Sequence, residues 1–158
     1  MLLKFKTHFP WNDEHGNPVP THFVPQIANA LQGIVGPPGA KHHTLRRING
    51  KPRFREGMKL QMATGPRFKP DIFRETECTR WQHLKMDIVY TQVAGYQLRV
   101  RVCHPGVIPY KMPPDKLHWL AMWDGFPDLE SFTRWFLADL LTNGPGDFEL
   151  VGWTDVRY

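Results

Sequence analysis

The stretch Lys41-His42-His43-Thr44-Leu45-Arg46 gathers the residue types with the most chemical reach in the chain. On a strand running from His42, the two-residue side-chain period puts His42, Thr44 and Arg46 on one face. Lys41 leaves the end of a stiff turn, Gly36-Pro37-Pro38-Gly39, so its flexible side chain can swing over that face. An ammonium, a hydroxyl and a guanidinium with no acid close in sequence suit an anion or a polarised carbonyl. The lysine could also ease use of the threonine oxygen as a nucleophile. The plainer reading of the same residues is a basic strand facing water.

Charge supports a polyanionic partner. The chain has 158 residues and a formal net charge of +5. From Lys41 to Lys69, nine basic residues face Glu56 alone, and from Asp115 onward eight acids face three bases. A chain divided in this way can present one positive face. Arg46, Arg47, Lys51, Arg53, Arg55, Arg67 and Lys69, with His42, are the candidate binding residues. Phe54, Phe68 and Phe73 interleave with Arg53, Arg55, Arg67 and Arg74, a pattern that suits single-stranded nucleic acid. Loop phenylalanines also serve simply to anchor a loop to a core. Most tryptophans read as core by periodicity. Trp123, beside Asp124, is the one that could stack on a base.

His42 and His43 with His104 and His118 do not make a metal site by spacing. Adjacent strand residues point to opposite faces, and no Cys-x-x-Cys or His-x-x-x-His is present. No motif asks for a cofactor. Cys78 and Cys103 cannot form a disulfide framework and read as buried apolar side chains.

The elements that would position these residues follow from periodicity. Leu2 to Phe9 reads as a first strand, since Leu3, Phe5 and Phe9 alternate with Lys4, Lys6 and His8; this is not the unbroken apolar run of a secretory signal. Residues 11–20 read as a loop. Thr21 is the expected cap of a helix through Phe23, Ile27 and Leu31 that ends at Gly33. Strands are expected over His42–Ile48, Met58–Ala63, Glu77–Tyr90 and Tyr96–Cys103, with a tight turn at Asn49-Gly50. A short helix ends at Asp124-Gly125, a second runs from Pro127 to Leu141, and Phe148–Tyr158 closes the chain as a strand. The loops at Thr64–Thr76 and Cys103–Pro114 read as additions. Turn spacing predicts an α+β fold, a barrel-like sheet of about five to seven strands with two or three helices, in one domain over 1–158. No stretch approaches the ~20 apolar residues of a membrane-spanning helix. A cytoplasmic location is expected.

The Lys41-x-x-Thr44-x-Arg46 stretch, followed by the Gly57-Met58-Lys59-Leu60 strand opening, resembles the ASCH domains of the PUA-like superfamily, above all the compact forms of phage and bacterial genomes. The Leu2–Phe9 strand, the Ala121-x-x-Asp124-Gly125-Phe126 turn before a helix and Trp153-Thr154 extend the resemblance over most of the chain. It implies a PUA-like barrel. Small bacterial members are amidohydrolases that release the acetyl group of acetylcytidine, through a lysine and a threonine of the motif and a glutamate preceding a helix. The matching positions are Lys41, Thr44 and Asp124, with Arg46 at the motif arginine. Aspartate is one methylene shorter than the family's glutamate, which shortens its reach.

Taken together, the expectation is a nucleic-acid or nucleoside-binding domain with a basic cleft, its partner RNA, another single strand or a modified nucleoside. The alternative is an amidohydrolase acting on an acylated nucleoside, with Lys41 as base, Thr44 or water as nucleophile and Asp124 as proton donor. A third reading is a non-catalytic phage interaction protein.

Overall fold

The computed structural model of the protein describes residues 1–34, 39–66 and 68–156. Gly36, Pro37 and Pro38 of the expected turn, the binding candidate Arg67, and Arg157 and Tyr158 of the expected last strand lie outside the described residues. The fold is α+β, with three helices and ten strands among the described residues.

The larger sheet has five antiparallel strands in the order β4 (His43–Arg47), β10 (Gly146–Gly152), β7 (Arg80–Thr91), β8 (Gly95–Cys103) and β9 (Tyr110–Lys111). In β8, Leu98, Val100 and Val102 are buried between exposed Gln97, Arg99 and Arg101, as period two requires. Register sets Val102 and Val100 against Leu84 and Met86 of β7, and Leu84 against Phe148 of β10. This apolar face is closed by α3 (Leu129–Asn143), whose Phe136 ring meets Phe148 edge-on at 5.7 Å. Asp128 caps α3, its carboxylate accepting from the Ser131 N–H at 2.6 Å. The preceding helix, α2 (Pro114–Trp123), ends at Asp124-Gly125 as expected and buries Leu120, Ala121 and Trp123.

A second sheet joins β1 (Leu2–Lys4), β5 (Lys59–Thr64) and β6 (Asp71–Glu77), with β1 parallel to β5. A two-stranded ribbon pairs β2 (His8–Asn12) with β3 (Pro18–Pro20). The first strand therefore divides at residues 5–7, because its two halves pair with different partners. Residues 11–20 are not a plain loop: the ribbon turns around Asp13, whose carboxylate accepts from the His15 and Asn17 N–H groups at 2.9 and 2.8 Å. Within the expected Thr64–Thr76 loop lies β6, an edge strand with no buried residue and so no apolar alternation to reveal it. The expected Glu77–Tyr90 strand begins instead at Arg80, and the short β9 sits within the Cys103–Pro114 segment.

Helix α1 (Phe23–Leu31) begins one residue later than Thr21 implies. Its cap position is His22, at φ +56°, and the Thr21 hydroxyl donates to the Lys6 carbonyl at 2.7 Å. The sheets do not close into a barrel. After Asn49-Gly50 the chain makes no hairpin from β4 to β5, because residues 53–54 are held on β10. There the fully buried Glu149 carboxylate accepts from the Arg53 and Phe54 N–H groups at 3.1 and 3.2 Å and from Trp81 Nε1 at 3.2 Å. No helix among the described residues is long and apolar enough to cross a membrane.

Candidate functional site

Lys41 and Asp124 are 83 residues apart in sequence and come together because the start of β4 is stitched to the end of α2. The His42 N–H donates to the Trp123 carbonyl at 2.8 Å, which sets the next residue on one strand of chain beside the preceding residue on the other. The Lys41 backbone is fixed from two further sides. Its N–H donates to the Gln26 carbonyl of α1 at 3.0 Å, and its carbonyl accepts from Trp153 Nε1 at 3.0 Å. Gly125 permits the turn that follows. It adopts φ +86°, and a side chain there would run into the Gln26 amide and stand 3.2 Å from Lys41 Cδ.

The Lys41 ammonium donates to the Asp124 carboxylate and to the Asp124 carbonyl, and it lies over the Phe23 ring, 4.2 Å from the centroid. The second carboxylate oxygen accepts from the Leu45 N–H at 3.3 Å. The shorter acid thus reaches the lysine in full. Both side chains are almost wholly buried, at 1% and 3% exposure. Burial pulls the Lys41 ammonium down to about 8, against the pull of Asp124 that favours its charge, with Arg46 a lesser contributor. Burial likewise raises the Asp124 carboxyl, opposed by Lys41, Arg46 and the Leu45 N–H.

Thr44 and Arg46 follow on the same face of β4, and both line a cavity of about 630 Å³ whose floor carries Lys41 and Asp124. The half-buried Arg46 guanidinium donates to the Lys4 carbonyl at 2.6 Å and lies 5.5 Å from the Phe5 ring centroid. Burial lowers it from its ordinary value, yet an arginine keeps its charge at neutral pH. The walls include Phe5, Phe23, Phe126 and Trp135. A volume in the ~300–1,000 Å³ range with apolar walls and a few convergent polar groups is the usual form of a small-molecule site. Chemically the site offers an amine that can lose its proton near neutrality, an acid that shares it, a hydroxyl and a fixed positive charge.

The remaining sequence candidates among the described residues do not line this cavity. The His42 Nδ1 meets the Thr154 hydroxyl at 2.9 Å, and the His43 Nε2 faces the Leu120 carbonyl at 3.2 Å, so neighbouring rings diverge as the strand period requires. Burial holds His43 well below its ordinary value, and Lys41 adds to the effect. Among the described residues no three His, Cys, Asp or Glu side chains could hold a metal ion together. Arg47 points to the helix side of the sheet, with Nε 2.7 Å from Asp139 and the guanidinium 4.9 Å from the Phe148 ring centroid. Trp123 is buried against His42 and Trp119, with ring centroids 6.0 and 5.4 Å away, and offers no open face to a base in the cavity. Lys51, Arg53, Arg55 and Lys69 are exposed outside it, and Arg55 lines a separate cavity with Trp81, His83 and Tyr110. The basic run therefore does not form one positive face. Lys41 is buried, Arg46 and Arg47 are half-buried with Arg47 ion-paired on the helix side, and among the described residues Lys51, Arg53, Arg55, Lys59 and Lys69 are exposed.

Sequence reasoning missed Lys4, Lys6 and His8, which line the cavity with Phe5. Their alternation with Leu3, Phe5 and Phe9 was visible, but a single alternating strand does not say what its polar face meets. Compared with protein-family models, curated proteins and solved structures, the chain matches none.

Proposed function

We propose that the protein is a nucleoside-binding domain of ASCH type, related to the PUA-like folds, whose aromatic-walled cavity receives a base. The observation that carries this reading is the convergence of Lys41, Thr44, Arg46 and Asp124, the four positions of the resemblance, in one cavity. Flat apolar walls suit a base, and the buried donors and acceptors on the floor suit its polar edge. The exposed Lys51, Arg53 and Arg55 lie outside the cavity, which favours a nucleoside-sized ligand over a strand gripped along its whole length. Single-stranded RNA remains a partner through one inserted base. The direct test follows the intrinsic tryptophan fluorescence, to which Trp135 on the cavity wall contributes, while cytidine, acetylcytidine and the other nucleosides are added. A saturable change that Arg46→Met weakens supports the reading, and no response to any nucleoside overturns it.

A second reading, amide hydrolysis of an acylated nucleoside, is favoured by the lowered Lys41 ammonium and its contact with Asp124. In that scheme neutral Lys41 takes the proton of Thr44 Oγ as the oxygen bonds to the acyl carbon. Arg46 stabilises the oxyanion. As the carbon–nitrogen bond breaks, the proton passes from the Lys41–Asp124 pair to the departing amine, and water then releases the acyl group from Thr44 as the acid. Release of acetate from acetylcytidine, abolished in Thr44→Val with the circular dichroism unchanged, is the expected result. Wild-type turnover in Thr44→Val overturns the nucleophile assignment, and turnover preserved in Lys41→Met overturns the scheme.

A further inference from the structure

The charge of the cavity lining goes beyond what a neutral nucleoside needs. Lys41 and Asp124 neutralise one another at the floor. Lys4, Lys6 and Arg46 remain on the same lining with no salt bridge among the described residues, and the His8 imidazole lines the space beside them. The one acid opposite Arg46 in register, Glu149, is occupied by the Arg53 and Phe54 N–H groups and Trp81. Apart from Asp124, no acid among the described residues lines this space.

The cations are graded with depth. Arg46 is half-buried, Lys4 is half-buried, and Lys6 and His8 are exposed at the mouth. The Lys6 ammonium stands 5.5 Å from the centroid of Trp135, one of the rings that wall the cavity. Cations over low-dielectric aromatic walls raise the local concentration of anions and strengthen each contact they make. A ligand that fills the site must therefore be flat and apolar toward Phe23, Phe126 and Trp135, and anionic toward Lys6 and His8.

Resting on the nucleoside reading above, we infer that the ligand carries a phosphate: the cavity takes a nucleoside 5′-phosphate, with its base among the rings and its phosphate between Lys6, His8 and Lys4. A free nucleotide and the phosphorylated end of a strand present this same chemistry.

Isothermal titration at low salt with each nucleoside, its 5′-monophosphate and inorganic phosphate tests the inference. The best-bound base is expected to bind at least about tenfold tighter as the monophosphate, about 1.4 kcal/mol. That advantage shrinks as salt screens the exposed mouth, and Lys6→Ala narrows the ratio of the two affinities. Equal affinity for nucleoside and monophosphate overturns the inference and leaves the nucleoside reading standing. Inorganic phosphate binding as tightly as the nucleotide makes this a bare anion site and overturns both, as does the absence of binding by any of the three. A 5′-phosphorylated tetranucleotide that binds tighter than the mononucleotide assigns the phosphate to a strand end, and the reverse order assigns it to the free nucleotide; each order supports the inference.

Discussion

Arg46 and Glu149 stand directly opposite each other on β4 and β10, yet their side chains do not pair. An opposed pair of unlike charges on a sheet contributes roughly 0.2–1 kcal/mol when it closes. Here each partner is drawn elsewhere. Arg46 reaches across to the Lys4 carbonyl at 2.6 Å, and Glu149 turns to the backbone of residues 53–54 and to the Trp81 indole. The separation leaves the guanidinium on the cavity wall and makes the carboxylate a structural clamp.

Glu149→Gln should destabilise the fold by about 1–3 kcal/mol, because the buried donors lose a charged acceptor and the new amide NH2 opposes one of them. Arg46→Met should cost less, since its site opens to solvent. Urea midpoints of the two variants check the order. A Glu149→Gln midpoint equal to wild type would remove the clamp from the account.

Asp124→Asn leaves the Lys41 ammonium buried without its counter-charge. The expected loss is about 3–5 kcal/mol, whereas replacing both partners by Lys41→Met with Asp124→Leu should recover most of it. Chemical denaturation of the single and double variants measures this. A double variant as unstable as Asp124→Asn would show that something other than the uncompensated charge is at work.

Lys41 also sets a pH dependence. Its ordinary value of 10.5 falls to about 8 in the folded protein. Between these values the unfolded chain holds a proton that the folded chain has lost, so the stability rises with pH across that window. The slope reaches at most about 1.4 kcal/mol per pH unit and vanishes below and above the window. Asp124 acts in the opposite sense at lower pH: its carboxyl is raised, so its contribution falls as pH climbs from 3.8 through the folded value. Unfolding free energies at about pH 7, 9 and 10, taken as wild type minus Lys41→Met, should increase through the series. A flat difference would mean that Lys41 keeps its proton throughout.

Gly125→Ala should cost about 2 kcal/mol or more, because φ +86° disfavours any L side chain and the added methyl meets Gln26, Phe23 at 3.1 Å and Lys41 Cδ at 3.2 Å. Since two of those neighbours line the cavity, ligand affinity should drop in the fraction that still folds. Denaturation together with ligand titration separates the two effects. Unaltered affinity would show that the turn yields without moving Lys41.

Much of the scaffold could be read from local pattern. The alternation of Tyr96–Cys103, the Asp124-Gly125 stop and the Lys59–Thr64 strand are each dictated by neighbours within a few residues, where period and turn chemistry act. Closure was not readable, because pairing of β5 with β1 rather than β4 depends on Glu149 holding a loop almost a hundred residues away in the chain. The edge strand β6 escaped for a related reason: with Phe73 and Thr76 only half-buried and its other side chains exposed, no apolar alternation marks it, and its pairing with β5 defines it.

At the site the same division holds. Residue type and two-residue spacing were enough to bring Thr44 and Arg46 to one face and to point to Lys41, since strand geometry is local, whereas Asp124 is indicated only by the family resemblance. That the lysine is buried on the aspartate, that Arg47 turns to Asp139 on the helix side and Trp123 into the core, and that Lys4 and Lys6 join the cavity were decided by packing of α1, α2, α3 and the first strand around β4. A charge run in sequence carries no information about depth, and depth sets whether a cation meets water, a carboxylate or a ligand.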